Sequence, residues 1–186
     1  KAIEDASGHR LTGLLNQRNS YINRVYEVET EDKKRLIAKF YRPGRWTREQ
    51  ILEEHSFLKE LSAKEVPVIC PIEYDGETLF AADDINYCVF PKMGGRSVDE
   101  FNKEAWQNIG RHLARIHDCG VLRKDSKRVV WRPGIATKHH LEVLLSSGLM
   151  PNDFKKSMKD TAELFIKRSD PLFNDVAFMV IHGDCH

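Results

Sequence analysis

Runs of β-forming residues crowd the first half of the chain, and helical stripes of apolar residues follow. Arg24–Glu29 (RVYEVE), with Val25 and Val28, reads as a strand, and Leu36–Tyr41 (LIAKFY) reads as its partner. The charged stretch Thr30–Arg35 between them suits a hairpin turn, and Asn19-Ser20-Tyr21 ahead of them reads as loop. Pro43-Gly44 breaks the second strand. Thr47 then offers an N-cap for a helix over about Arg48–Ala63. Its Ile51, Leu58 and Leu61 lie on one stripe, joined by Phe57. Pro67 and Pro71 bracket an extended piece. Ile72–Tyr74 and Thr78–Ala81 flank Asp75-Gly76, a strong hairpin signal. Asn86–Phe90 (NYCVF) reads as a further strand. Five strands and one helix in the first ~90 residues predict an α+β lobe.

Pro91–Arg96 contains Gly94-Gly95 and reads as a connector, after which the period changes. Trp106, Ile109, Leu113 and Ile116 form a helical stripe ending at Gly120, the expected C-cap. His139–Leu145 and Phe154–Lys167 predict two more helices. Val176–Ile181 predicts a short buried strand running into His182-Gly183-Asp184-Cys185-His186. The expected organisation is a strand-rich lobe over residues 1–91, a connector over 92–96, and a helical lobe over 97–186.

Composition narrows the class. In 186 residues, 41% are hydrophobic and 31% charged, which fits a soluble globular protein and argues against disorder. The net charge of +1 gives no global field that would draw nucleic acid. The basic loop Arg123–Arg128 has no interleaved aromatics, so it reads as solvated. Val176–Ile181 is too short to cross a bilayer, no secretory signal precedes the first strand, and no membrane partner is expected. Cys70, Cys88, Cys119 and Cys185 form no CxxC pair, so reduced thiols in a cytoplasmic protein are expected.

Four segments carry candidate chemistry. In HGDCH an Asp follows a His by two positions at the end of an apolar run, the arrangement in which a kinase Asp orients an acceptor hydroxyl and takes its proton. Asp184 is the candidate base, with His182, Gly183 and His186 in support; a tight surface turn is the plainer alternative. Lys39 lies inside an apolar strand, where a cation can hold the α- and β-phosphates if a carboxylate from the next helix fixes it. Glu53 and Glu54 are both available. Glu54 fits better, lying four residues before Leu58 and seven before Leu61 on the sheet-facing stripe. There is no GxGxxG. Asn19–Arg24 (NSYINR) stands in its place, with Ser20, Tyr21 and Asn23 as candidate phosphate contacts. Val89, Phe90 and Pro91 end the last strand where backbone groups and apolar walls can read an adenine. Solvated lysine, hairpin loop and plain linker are the bland readings of these three.

Taken in order, NSYINRVY (19–26), KFYRP (39–43), ILEEH (51–55), VPV (66–68), VFP (89–91), GGR (94–96), the Gly110-Arg111-His112-Leu113…His117 helix and HGDCH (182–186) resemble the bacterial stress-response kinase family. That family lies within the aminoglycoside phosphotransferase and choline kinase-like branch of the protein-kinase fold. The resemblance implies an α+β, two-lobed, protein-kinase-like fold with an incomplete helical lobe. It implies a cytoplasmic, ATP- and Mg²⁺-dependent serine/threonine protein kinase that also phosphorylates itself and acts in stress response. The implied partners are a protein with a Ser or Thr acceptor, or the kinase itself. In that family a metal-binding Asn lies five residues after the catalytic Asp and a second metal-binding Asp later still. Both positions lie past His186, so no metal ligand is expected within the chain, and a fragment ending here is expected to be inactive alone. Two alternatives remain: a small-molecule kinase acting on an aminoglycoside, choline, homoserine or sugar hydroxyl, and a pseudokinase scaffold. A zinc site from His139, His140, His182, Cys185 and His186 lacks standard ligand spacing, and His117 reads as a core residue.

Overall fold

The computed structural model describes residues 1–95 and 100–184. Helix α2 (Arg48–Ala63) begins where its sequence dictates. The Thr47 hydroxyl accepts the Gln50 N–H, and the Gln50 side-chain oxygen accepts the Thr47 N–H, a reciprocal capping box. Around it lie a short helix α1 (Ala2–Ser7) and strands β1 (Leu11–Arg18), β2 (Arg24–Thr30), β3 (Arg35–Phe40), β4 (Phe80–Ala82) and β5 (Ile85–Pro91). The strands pair antiparallel in the order β1-β2-β3-β5-β4.

Alternation along the strands sends side chains to two different cores. Val28, Leu36, Ala38, Tyr87 and Val89 face α1, where Ile3, Leu11, Ile72 and Phe80 complete one cluster. Tyr41, Cys88 and Phe90 face α2, where Ile51, Leu52 and Leu79 complete the other. Lys39 pairs with Val25 on one side and Cys88 on the other, so it projects on the α2 face.

The strands differ from expectation at both ends of the sheet. β1 lies where no strand is predicted: it carries a register irregularity between Leu11 and Leu15, with Gly13 at φ 91°, which erases simple alternation. At Ile72–Tyr74 no strand forms. Asp75 and Gly76 do turn the chain, with φ of 50° and 82°, but they close one bridge, Tyr74 to Glu77. The hairpin that builds the sheet edge turns instead at Asp83-Asp84, both with positive φ, a conformation aspartate tolerates.

The chain divides into two compact units, Lys1–Lys127 with Met179–His186, and Arg128–Phe178. Helix α3 (Lys103–Gly120) belongs to the first. Asn102 caps it by accepting the Ala105 N–H at 2.8 Å. Its Ile116 and Cys119 are buried with Leu61 and Val66, whereas Trp106, at the start of the predicted stripe, is exposed. Gly120 is the last helical residue and Val121 the cap; Gly120 has no positive φ. Its value is close approach, because a Cβ there would stand 1.9 Å from the Val180 carbonyl oxygen. Residues 176–181 form no strand. Val180 donates its N–H to the Gly120 carbonyl at 3.3 Å, but no ladder forms among the described residues, and Ile181 is exposed.

In the second unit, a π-helical turn at Pro133–Thr137 leads into α4 (Lys138–Ser146), and α5 (Asn152–Ser169) follows. Both helices contain the segments predicted for them and run slightly beyond at each end. Arg132 grips Asp170 through two bonds of 2.8 Å, and Asp170 also accepts the Gly134 N–H. No described helix is long and apolar enough to cross a membrane.

Candidate active site

Lys39 enters the α2 face from the middle of the sheet, and Glu54 meets it from α2, with Nζ to Oε1 at 3.4 Å. Both are partly buried. The neighbouring Glu53 points elsewhere: its carboxylate accepts the Lys127 N–H at 2.6 Å, while Gln50 donates to the Lys127 carbonyl at 2.9 Å. The two adjacent glutamates therefore divide their work, one on the strand cation and one on the loop after α3. That loop is also anchored by Arg123, which donates to Glu60 at 3.0 Å and to Ser56 at 3.1 Å.

Around the Lys39–Glu54 pair the α2 face is polar yet satisfied. Tyr41 lies beneath Lys39, with Nζ 4.7 Å from the ring centroid. Its hydroxyl is 3.1 Å from His55 Nε2 and 3.4 Å from Cys88 Sγ, and His55 Nδ1 is 2.9 Å from the Thr78 hydroxyl. Burial pushes His55 down to about 4, the Glu54 carboxylate opposing and the Lys39 ammonium adding to the effect. Burial likewise pushes the Cys88 thiol up to about 11. His55 is therefore a neutral hydrogen-bonding group and Cys88 an unionised thiol at physiological pH.

Sequence pattern does not single out Glu27, yet it is 1% exposed on the same face, opposite Ile37. Its carboxylate takes Arg18 from β1, Arg35 at 2.9 Å from β3 and Lys92 at 2.9 Å from just beyond β5. A buried carboxylate persists only when compensated in this way. The cluster joins the end of β1, where the 19–23 loop begins, to the end of β5, where the connector begins. An acidic residue within RVYEVE, with cations at the ends of neighbouring segments, is the signal that the sequence offers for it.

The remaining predicted residues are placed as follows. Ser20 and Tyr21 are exposed in the β1–β2 loop and line an open depression with Gln17, Arg18 and Asn19. Asn23 accepts the Arg42 N–H at 3.3 Å, tying the loop to the chain just after β3. Phe90 lies on the Lys39 face. The Val89 side chain is buried on the opposite face and its carbonyl accepts the Ile72 N–H, so any ligand contact by Val89 falls to its backbone. Pro91 pairs with Leu36. Gly94 and Gly95 are exposed, while Arg96, the end of the expected connector, lies outside the described residues. At the other end of the chain, Gly183 turns with φ 73° and Asp184 donates its N–H to His182 Nδ1 at 3.2 Å. Cys185 and His186 lie outside the described residues. Among the described residues no group of three His, Cys, Asp or Glu side chains could hold a metal ion.

Comparison with known proteins adds sequence relatives and structural neighbours. A family model described as the phosphotransferase enzyme family matches residues 15–186. Stress response kinase A of Escherichia coli (strain K12) is 38% identical over 184 residues, covering 96% of this chain and 55% of its own length. Serine/threonine protein kinase RdoA of Salmonella typhimurium is 38% identical over 177 residues, 92% of this chain and 53% of its own. The chain thus spans about half the length of the curated relatives it matches. Among solved structures, an amicoumacin kinase in complex with AMP-PNP and Ca²⁺ superposes with TM-score 0.66 at 24% identity, covering 86% of this chain and 49% of that one. A spectinomycin phosphotransferase in complex with ADP and spectinomycin gives TM-score 0.63 at 12% identity over 99% of this chain and 61% of that one. The fold is α+β and kinase-like, as the sequence resemblance implied.

Proposed function

Because the chain belongs to the phosphotransferase enzyme family, we propose that the protein containing it transfers the γ-phosphoryl group of ATP to a Ser or Thr hydroxyl of a protein, itself included, in a cytoplasmic stress response. The observation that carries this reading is the Lys39–Glu54 pair, one member from a central strand and one from the helix covering it. A cation so held can engage the α- and β-phosphates without swinging away. Around it, the N–H groups and Ser20 hydroxyl of the 19–23 loop meet the phosphates, while Phe90 and the backbone of Val89–Pro91 border the adenine. Asp184 orients the acceptor hydroxyl and takes its proton as the acceptor oxygen bonds to the γ-phosphorus. The bond from that phosphorus to the β–γ bridging oxygen breaks, and ADP leaves. Gly183 supplies the bend, and His182 Nδ1 holds the Asp184 N–H. Mg²⁺ bound with ATP would neutralise charge on the phosphates, and the described residues offer no cluster of their own for it.

The test is phosphate transfer from γ-labelled ATP by the full-length protein, with itself and a mixed protein substrate as acceptors. Asp184→Asn should lower the rate by about 10²–10⁴, the usual worth of a positioned base. Near-parental turnover in that variant would sink the assignment. ADP release with aminoglycosides, choline, homoserine or sugars, but no labelled protein, would favour a small-molecule kinase. Nucleotide binding with no transfer to any acceptor would favour a pseudokinase.

A further inference from the structure

Two residues in the family-like segments KFYRP and ILEEH have no part in the reading above: Tyr41 and His55. They bridge the same two elements as the Lys39–Glu54 pair. Tyr41 follows Lys39 by two positions and shares its face, and His55 follows Glu54 on α2. The Lys39–Glu54 distance of 3.4 Å is long for a charge-assisted bond, which closes to about 2.7–2.9 Å. At that distance the carboxylate leaves the ammonium able to make a second contact. The Tyr41 ring lies within the roughly 6 Å reach of a cation–π contact, at 4.7 Å. That ring is itself buried and oriented by its hydroxyl, which meets His55 Nε2 at 3.1 Å and Cys88 Sγ at 3.4 Å. His55 is held in turn by Thr78 at 2.9 Å.

We propose that Tyr41 is a positioning residue for phosphoryl transfer: its ring face holds the Lys39 ammonium beside Glu54, with packing against Ile51, Leu79 and Cys88 setting the ring and the hydroxyl contact to His55 adding to it. The idea rests on the reading of Lys39 as the phosphate-binding cation. His55 stays neutral through the physiological range, so the hydroxyl contact brings no second positive charge to the ammonium.

The experiment measures kcat/KM for ATP in the full-length protein. Tyr41→Leu should lower it about threefold to thirtyfold, the range of a partly desolvated cation–π contact. Tyr41→Phe, which keeps the ring, should restore most of that loss. In a Glu54→Gln background the further loss from Tyr41→Leu should shrink below about twofold, because both residues act on one ammonium. A packing defect would cost the same factor in either background. Should Tyr41→Leu fail to fold, a series of ring-fluorinated phenylalanines at position 41 preserves shape while draining the ring's negative face. kcat/KM should fall with each added fluorine. Equal losses in both Glu54 backgrounds, a Tyr41→Phe loss as large as that of Tyr41→Leu, or a flat fluorine series each overturn the inference. Lys39→Ala separates the two levels: if it still transfers phosphate normally, the reading of Lys39 has failed, whatever Tyr41 does.

Discussion

Acid should loosen the α2–sheet contact through one residue, His55. Its ring is almost fully buried between Tyr41 and Thr78, with Glu54 and Lys39 the charges that act on it, and burial holds it at about 4 against an ordinary value of 6.5. The unfolded chain therefore takes up a proton near pH 6.5, while the folded chain refuses it until about pH 4. A depressed folded value means that stability is fully present above 6.5 and is lost as pH falls between 6.5 and 4. At pH 4.5 the linkage comes to roughly 2 to 3 kcal/mol, from about 1.36 kcal/mol for each tenfold difference in proton affinity between the folded and unfolded chain. That is a large share of the roughly 5–15 kcal/mol that holds a typical domain. The assay is urea unfolding of the full-length protein and of His55→Gln, from pH 7.5 to 4.5. Glutamine keeps a donor and an acceptor but does not titrate. The parent should lead the variant at pH 7.5, and that lead should shrink by roughly 2 to 3 kcal/mol at pH 4.5. A difference that stays constant with pH, or widens toward acid, would refute the reasoning.

Two further expectations follow from the geometry. Glu54→Gln should lower phosphotransfer on the order of 10- to 100-fold, the penalty of a misplaced reacting partner, whereas Glu53→Gln should stay within about threefold because its amide oxygen can still accept the Lys127 N–H; equal effects in one kinetic assay would show that the two carboxylates do not divide the work. Gly120→Ala drives a methyl into the Val180 carbonyl, so it should cost about 1–3 kcal/mol in denaturant unfolding and should lower activity by shifting the segment that leads to Asp184; unchanged stability would mean that the 179–184 segment does not rest on α3.

The parts of the fold legible in the sequence are those in which several local signals agree. α2 starts at its predicted residue because Thr47 and Gln50 cap it and because Ile51, Leu58 and Leu61 keep a helical period. β2 and β3 are readable because their β-formers flank a charged turn. β1 is not, since its bulge at Gly13 breaks the period of two and much of its outer face is solvated. Asp75-Gly76 shows the limit of turn chemistry. The dipeptide turns the chain as its φ angles require, yet pairing also needs two strands free to form a ladder. Pro71 has no N–H, and Ile72 gives its N–H to the Val89 carbonyl, so that segment is committed to the edge of β5 beyond β4.

The candidate site divides along similar lines. Lys39 and Glu54 can be paired in advance because strand alternation and helical period each fix a direction, and the two directions converge. Glu53 against Glu54 can be argued only from the stripe, one helical step apart, and the loop that occupies Glu53 comes from 74 residues further along the chain. Glu27 escapes notice because a glutamate within a strand normally marks the solvent face. Its compensation comes from three different segments, and a sequence displays none of those distances. The same holds for Tyr41 and His55. Each looks like an ordinary core residue, and together they make a polar bridge only once β3 and α2 are packed. Local pattern therefore reveals the strand cation and its helix carboxylate. The groups that hold them in place are set by long-range packing, and in this chain they sit on the same two elements as the groups they hold.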